Sequence, residues 1–332
     1  MTELLNIFPG ISCAYIDKNG RVEYECYGVA DKESYIKTDV NTIFPACSIS
    51  KWITAICVMK LNEQDILDID KPVQPYLSPW KICDVNGKEC DVTLRHLLSH
   101  TSGIHDGENG FYGHRRTDKD ISIPDILNGV TGYNNKAARV EQTPGSSFEY
   151  SDAGFCVIQL ILENVTGKSF EELARELIFD KLGLSDIFFA TRSNIDAFEK
   201  KGQLAAGYAG DGSVIDGKYP VCPDLAASGL WSSPNELLKI AADFAASMDG
   251  CGQILSKDSV TEMIKPAFNM PWVGLGLFRY GDDVIVSKGW GENGQCMLKT
   301  DCRNHSIGVV MTNKDTEIPQ EESGVERLVF RM

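Results

Sequence analysis

Strand-forming runs in this chain are concentrated at its two ends, and that distribution limits the architectures open to it. Residues 11–16 (ISCAYI) and 21–28 (RVEYECYG) flank Asp17-Lys18-Asn19-Gly20, whose Asn-Gly step is the strongest short hairpin signal. Strand-like runs return only after Pro266, at 273–280, 284–287, 295–300 and 305–312, and 321–331 reads as a closing helix. The middle is helical in pattern. Helix signals cover 92–100 with Thr93 as N-cap, 153–163, 170–182 before Gly183, and 256–264; a capping box of Ser233, Pro234 and Glu236 opens a helix running to about Ala246. Residues 29–43 read as irregular, 65–80 as a proline-broken loop, and 193–224 as mostly loop. The expectation is an α+β fold, an α/β sandwich in which one antiparallel sheet from both termini is flanked by helices and interrupted by a large, mostly helical insertion. Residues 1–45 and 236–332 would form the α/β domain and 46–235 the helical one, with the cleft between them as the natural site.

The chemistry points to Phe44–Lys60, FPACSISKWITAICVMK. Pro45 disfavours helix at Phe44, and Trp52, Ile53, Ala55, Ile56, Val58 and Met59 make the following turns apolar nearly all round, the mark of a buried helix. Ser48 and Lys51 stand three apart where that helix begins, so the amine can reach the hydroxyl. A serine hydroxyl needs a neighbouring base and stabilisation of the oxyanion it generates. Burial and the helix N-terminus both lower a lysine pKa, which predicts a neutral Lys51 near pH 7. The same Ser-x-x-Lys spacing recurs at Ser34/Lys37 and Ser78/Lys81, but neither opens an apolar helix. Cys47 is a second candidate nucleophile, read here as packing.

Other features narrow the class. A formal charge of −15 over 332 residues, without any basic run, argues against nucleic acid and anionic membrane as partners. No apolar window is long enough to span a bilayer, and the N-terminus lacks a signal-peptide pattern, so the chain reads as mature from Met1. Eleven scattered cysteines without a Cys-x-x-Cys pair suggest mostly buried thiols in a reducing cytoplasm. His96 and His100, four apart without an intervening glutamate, do not make a zinc pattern. The loop 104–122 could border the cleft with Phe111, Tyr112 and His114. Tyr150, at a loop-to-helix junction, could shuttle protons if a nearby ammonium lowers its pKa.

Several stretches resemble the serine β-lactamase and penicillin-binding-protein superfamily, especially class C β-lactamases and their esterase and D-peptidase relatives. Ser48-Ile49-Ser50-Lys51 looks like its nucleophile motif, and Tyr150-Ser151-Asp152 like its Tyr-x-Asn segment. TLRHLLSHTSG (93–103) and ASGLWSS (227–233) look like characteristic structural stretches. Ser287-Lys288-Gly289, followed by Trp290-Gly291, is the best counterpart of its Lys-Thr-Gly or His-x-Gly strand. The resemblance implies acyl transfer in two steps. Ser48 attacks a carbonyl, Lys51 and Tyr150 manage its proton, the backbone N–H groups of Ser48 and Trp290 form the oxyanion hole, and water hydrolyses the resulting ester. Which of Lys51 and Tyr150 is the base stays open. No cofactor or metal is implied. Two departures matter: Asp152 replaces the usual Asn, and either Ser287 faces the cleft or a bulge turns Lys288 inward. Both changes reduce positive charge where the family's substrates carry a carboxylate. The implied substrate is therefore a small-molecule or peptide-like ester or amide, including amine-bearing D-amino-acid derivatives, rather than a penicillin. A penicillin-recognising or peptide-binding protein with little turnover, and a class C-type β-lactamase, are the alternatives.

Overall fold

The computed structural model describes residues 2–108 and 110–331; Met1, where the sequence reads as mature, and Asn109, inside the 104–122 loop, lie outside these residues. After one helical turn (α1, Thr2–Leu5), the hairpin expected from Asn19-Gly20 is formed by β1 (Gly10–Ile16) and β2 (Val22–Asp31). Asp17 Oδ1 accepts the N–H groups of Asn19 and Arg21 at 2.8 and 2.9 Å, and Gly20 takes φ +78°, so the turn chemistry closes the loop. The segment expected to be irregular carries β3 (Ile36–Lys37), which pairs with β2, and β4 (Phe44–Cys47), which leads into α2 (Ile49–Glu63).

The helical region adds α3 (Leu94–Leu98), α4 (Ile123–Leu127), α5 (Asp152–Thr166), α6 (Phe170–Ala174) and α7 (Arg192–Lys201). Two expectations change here. The helix expected over 170–182 passes into a wider five-residue turn at Arg175–Phe179, and α7 occupies part of the stretch read as loop. Thr191 and Asn194 cap α7 reciprocally, but only Ile195 of its ten residues is buried, so the apolar periodicity that signals a helix is faint. Strands β5 (Ile187–Phe189) and β6 (Leu230–Ser232) sandwich with β4 in a small sheet of order β4-β6-β5. Between them lies α8 (Leu225–Ser228).

Next come α9 (Pro234–Met248) and α10 (Lys257–Ile264). Ser233 Oγ accepts the Glu236 N–H at 3.3 Å, but the Glu236 carboxylate bonds Lys239 instead of closing the expected capping box. Four strands complete the main sheet: β7 (Phe278–Tyr280), β8 (Val284–Gly291), β9 (Gly294–Asp301) and β10 (Ile307–Thr312). Residues 273–277 do not extend β7, because Gly276, at φ +70°, lies against α2, where a Cβ would come within 2.4 Å of Ala55. The closing helix is two short ones, α11 (Gln320–Ser323) and α12 (Val325–Val329), broken where Gly324 takes φ +91°.

The seven-stranded sheet has the order β3-β2-β1-β10-β9-β8-β7 and is antiparallel throughout, so chain start and chain end meet where β1 pairs with β10. Side chains alternate between its faces. Ala14, Ile285, Leu298 and Val309 enter the large core shared with α2 and α9, whereas Cys13, Val286, Met297 and Val310 pack with Phe8, Val325 and Val329 on the other face. Helix α2 is buried at Ile49 to Met59 and at Leu61. It runs through the molecule against β4, β8 and α8, as its near-uniform apolarity predicts. Of the eleven cysteines, all free, five are buried, fewer than expected.

Candidate active site

Ser48 caps α2 at the end of β4, in a cleft of about 420 Å³ that it lines with Cys47, Tyr150, Asp152, Lys288 and Trp290. Its position depends on close strand packing. A Cβ on Gly289 would meet Ala46 O at 2.3 Å, so only glycine lets β8 press on the strand that delivers the serine. One turn along α2, Lys51 is 3% exposed and its Nζ donates to Ser48 Oγ and to Ala227 O, each at 2.9 Å. The Tyr150 ring packs beside this pair, with Lys51 Nζ 4.8 Å from the ring centre, and it lines the same recess as Ser48 and Lys51.

The neutral lysine expected from burial is not what the structure holds. Asp152 Oδ1 lies 2.5 Å from Lys51 Nζ. Burial alone pulls the ammonium's pKa down, but the Asp152 charge, with Tyr150, outweighs it and holds Lys51 above its ordinary range. The resting pair is ammonium and carboxylate. Burial pushes the Tyr150 phenol up while Lys51 draws it back, leaving it raised and protonated at neutral pH.

The groups behind this cluster include Asp106, Tyr133 and Asp224, which sequence reasoning did not assign. Asp106 accepts from Ser151 Oγ at 2.8 Å, Asp152 N at 2.6 Å and Ala153 N at 3.1 Å, pinning the turn that carries Tyr150 and Asp152. Burial and the Asp152 charge push its carboxyl up to about 6. His100, whose spacing from His96 does not make a zinc pattern, stacks on Tyr150 at 4.3 Å between centroids, and its Nδ1 accepts from Ser151 N at 3.1 Å. Burial, then Lys51, pushes the imidazole well below its usual range, so it is neutral. Asp224, fully buried at the start of α8, accepts from Tyr133 OH at 2.6 Å through Oδ1, while its Oδ2 has no partner. The sequence offers no local signal for Asp106, Tyr133 or Asp224, because each acts on a residue at least 45 positions away.

Burial and the Asp152 charge push Asp224 up to about 7 from 3.8. Folding therefore disfavours its ionised form, and the stability this group lends is full below the unfolded value and lost as pH rises through the folded one. The loss is on the order of 4 kcal/mol. Asp224→Asn keeps the acceptor for Tyr133 without the charge. It is expected to melt higher than wild type at about pH 8, with the gap closing toward about pH 4 in parallel melting scans.

The strand facing Ser48 resolves the question left by its motif. Pairing of β8 with β9 is unbroken from Val284 to Gly291, so no bulge turns Lys288 inward. Ser287 is buried on the Ser48 side, lining a small recess with Ser48, Lys51, His100 and Tyr150. Lys288 lines both the cleft and that recess, but its ammonium is paired with Glu321 and lies 5.3 Å from the Tyr280 ring centre. The Trp290 indole turns away to donate to Asp315 at 2.8 Å. Phe111, Tyr112 and His114 line the opposite rim, where Arg115 pairs at 2.7 Å with Glu292 of the β8–β9 turn. His96 is bound up with Thr93, and among the described residues no group of side chains could hold a metal.

A serine–lysine–tyrosine cluster between an antiparallel sheet and a helical layer agrees with the comparison to known proteins: the β-lactamase family profile matches residues 3–329. The chain belongs to the β-lactamase family. Among curated relatives, it is 27% identical over 270 residues to the putative penicillin-binding protein PbpX of Bacillus subtilis strain 168, covering 80% of this chain and 61% of the relative. It is also 28% identical over 183 residues to esterase EstB of Burkholderia gladioli, covering 54% of this chain and 46% of the relative. Among solved structures, the octameric penicillin-binding protein homologue from Pyrococcus abyssi superposes with a TM-score of 0.79 at 25% identity, over 99% of this chain and 74% of that one. The chain spans about 36–61% of the length of the first curated relatives it matches. No helix among the described residues is long and apolar enough to cross a membrane.

Proposed function

We propose that this β-lactamase-family chain is a serine hydrolase that works through an acyl ester on Ser48, acting on esters or amides whose acyl part is neutral or cationic rather than anionic. The observation that carries the reading is the convergence of Lys51 Nζ on Ser48 Oγ at 2.9 Å and on Asp152 Oδ1 at 2.5 Å. The Lys51–Asp152 pair acts as the base: as Ser48 attacks, its proton passes to Lys51 and one ammonium proton passes to Asp152. Tyr150 bridges the serine and the lysine and returns a proton to the leaving group. The N–H groups of Ser48 and Trp290 receive the oxyanion, and water then releases the acyl group by the reverse proton path.

Charge sets the substrate class. The charges that line the cleft are already paired, Lys288 with Glu321, Asp152 with Lys51 and Glu292 with Arg115, so Lys288 is not left free for a substrate. A substrate carboxylate thus lacks the charge-assisted contact worth roughly 1.5–3 kcal/mol, whereas an ester, a neutral amide or an amine-bearing D-amino-acid derivative does not need it. The free thiols support work in a reducing compartment such as the cytoplasm.

Intact-mass measurement after incubation with a short-chain ester, a D-alanyl ester and a β-lactam tests the reading. The expected result is an acyl adduct from the esters on wild type, absent from Ser48→Ala, with multiple turnovers and little β-lactam adduct. Ester hydrolysis that survives in Ser48→Ala would overturn it. An adduct that forms and never turns over would mark a binding protein instead.

A further inference from the structure

The wall behind the nucleophile is rich in sulfur that acyl transfer does not use. Cys47 directly precedes Ser48, lines the same cleft and is 5% exposed. Its backbone takes φ +47°, a left-handed conformation costing a branched or ordinary side chain on the order of 1 kcal/mol or more. Its Sγ lies 3.8 Å from Asn293 Oδ1 and 3.9 Å from Gly294 O. On the neighbouring strand β9, the Cys296 thiol donates at 2.9 Å to the carbonyl of Ala46, the residue bonded directly to Cys47. A third thiol, Cys222, also lines the cleft. Two glycines leave the room these sulfurs occupy: a Cβ on Gly289 would come within 2.4 Å of Cys296 Sγ, and one on Gly291 within 3.1 Å of Cys47 Sγ.

We propose that Cys47 and Cys296 form a peroxide-sensitive modification site, closing to a disulfide that shuts the active site beside it. Only the clause about activity rests on the proposed hydrolase function. Peroxide enters through the cleft and meets Cys47 first, since Cys296 is fully buried behind it. The Cys47 sulfur gives up its proton and attacks a peroxide oxygen; the O–O bond breaks, hydroxide leaves and takes that proton as water, and Cys47 becomes a sulfenic acid. The Cys296 sulfur then attacks Cys47, the S–S bond forms and the S–O bond breaks, and the departing hydroxide takes the Cys296 proton as a second water. Two thiols are oxidised by two electrons and one peroxide is reduced to two waters. Forming the bond sets the sulfurs about 2 Å apart. It removes the Cys296 thiol from Ala46 O and draws the residue before Ser48 toward β9, displacing the Ser48 N–H from the oxyanion.

Stoichiometric hydrogen peroxide on the full chain, read by intact mass and by peptide mapping without reduction, tests this. The expected result is a mass lower by two hydrogens, a cross-linked pair of peptides holding Cys47 and Cys296, and a loss of ester turnover of roughly tenfold or more that a dithiol reductant reverses. Cys296→Ala should keep its turnover under peroxide, and Cys222→Ser should lose it as wild type does. The cross-link must also form in Ser48→Ala, which separates this proposal from the hydrolase reading. Absence of that cross-link, or equal peroxide sensitivity in Cys296→Ala, overturns it.

Discussion

Ser48→Ala is expected to lower kcat/KM on a short-chain ester by roughly three powers of ten or more, and Lys51→Met by nearly as much. The two losses should not add. The lysine acts only by moving the serine's proton, so the double variant is expected to match Ser48→Ala alone. The variants differ in stability. Lys51 Nζ serves Ser48, Ala227 O and Asp152 from a site 3% exposed, so its removal strands a carbonyl and a carboxylate and should cost roughly 2–3 kcal/mol in urea unfolding. Adding Asp152→Asn to Lys51→Met should restore much of that stability and none of the turnover. Additive kinetic losses would show that lysine and serine work independently, and the proposed proton path would fail.

Asp152→Asn alone is expected to change both selectivity and pH dependence. With Asp152 present, the ammonium of Lys51 is held above its ordinary range, so its titration lies outside any usable assay. Without that carboxylate, burial dominates and drives the amine's pKa down. A rate limb that rises with pH as Lys51 deprotonates should then enter the profile, where wild type shows none from this group. The relative kcat/KM for acyl groups bearing a carboxylate should rise by about one to two powers of ten against neutral esters, the equivalent of one charge-assisted contact no longer opposed. An unchanged selectivity ratio together with an unchanged profile would remove Asp152 from the account.

Local signals carried much of this architecture. The Asn19-Gly20 turn, the apolar run of α2 and the N-caps Thr93, Ser233 and Ser256 all act within a few residues. Elements held by distant partners were the ones misread. Helix α7 shows little apolar periodicity because one residue of ten is buried, and β3 to β6 are too short to alternate. The site divides in the same way. Ser48 and Lys51 are one helical turn apart and could be paired from spacing, and Tyr150 stood out at its junction. The charge on Lys51 could not be read, because it depends on a carboxylate 101 positions later in the chain. Ser287 and Lys288 were undecidable until the unbroken register with β9 fixed which one faces inward.

The pairing of β1 with β10 also has a consequence for synthesis. Ser48 and Lys51 leave the ribosome long before β8, the strand that walls them in, and before β9, which holds β8 in register. A nascent chain therefore carries its reactive alcohol without an enclosing wall or a second oxyanion donor. If the proposed hydrolysis is right, competence arrives late in translation, when the last strands dock, and products that lack them are expected to be inert.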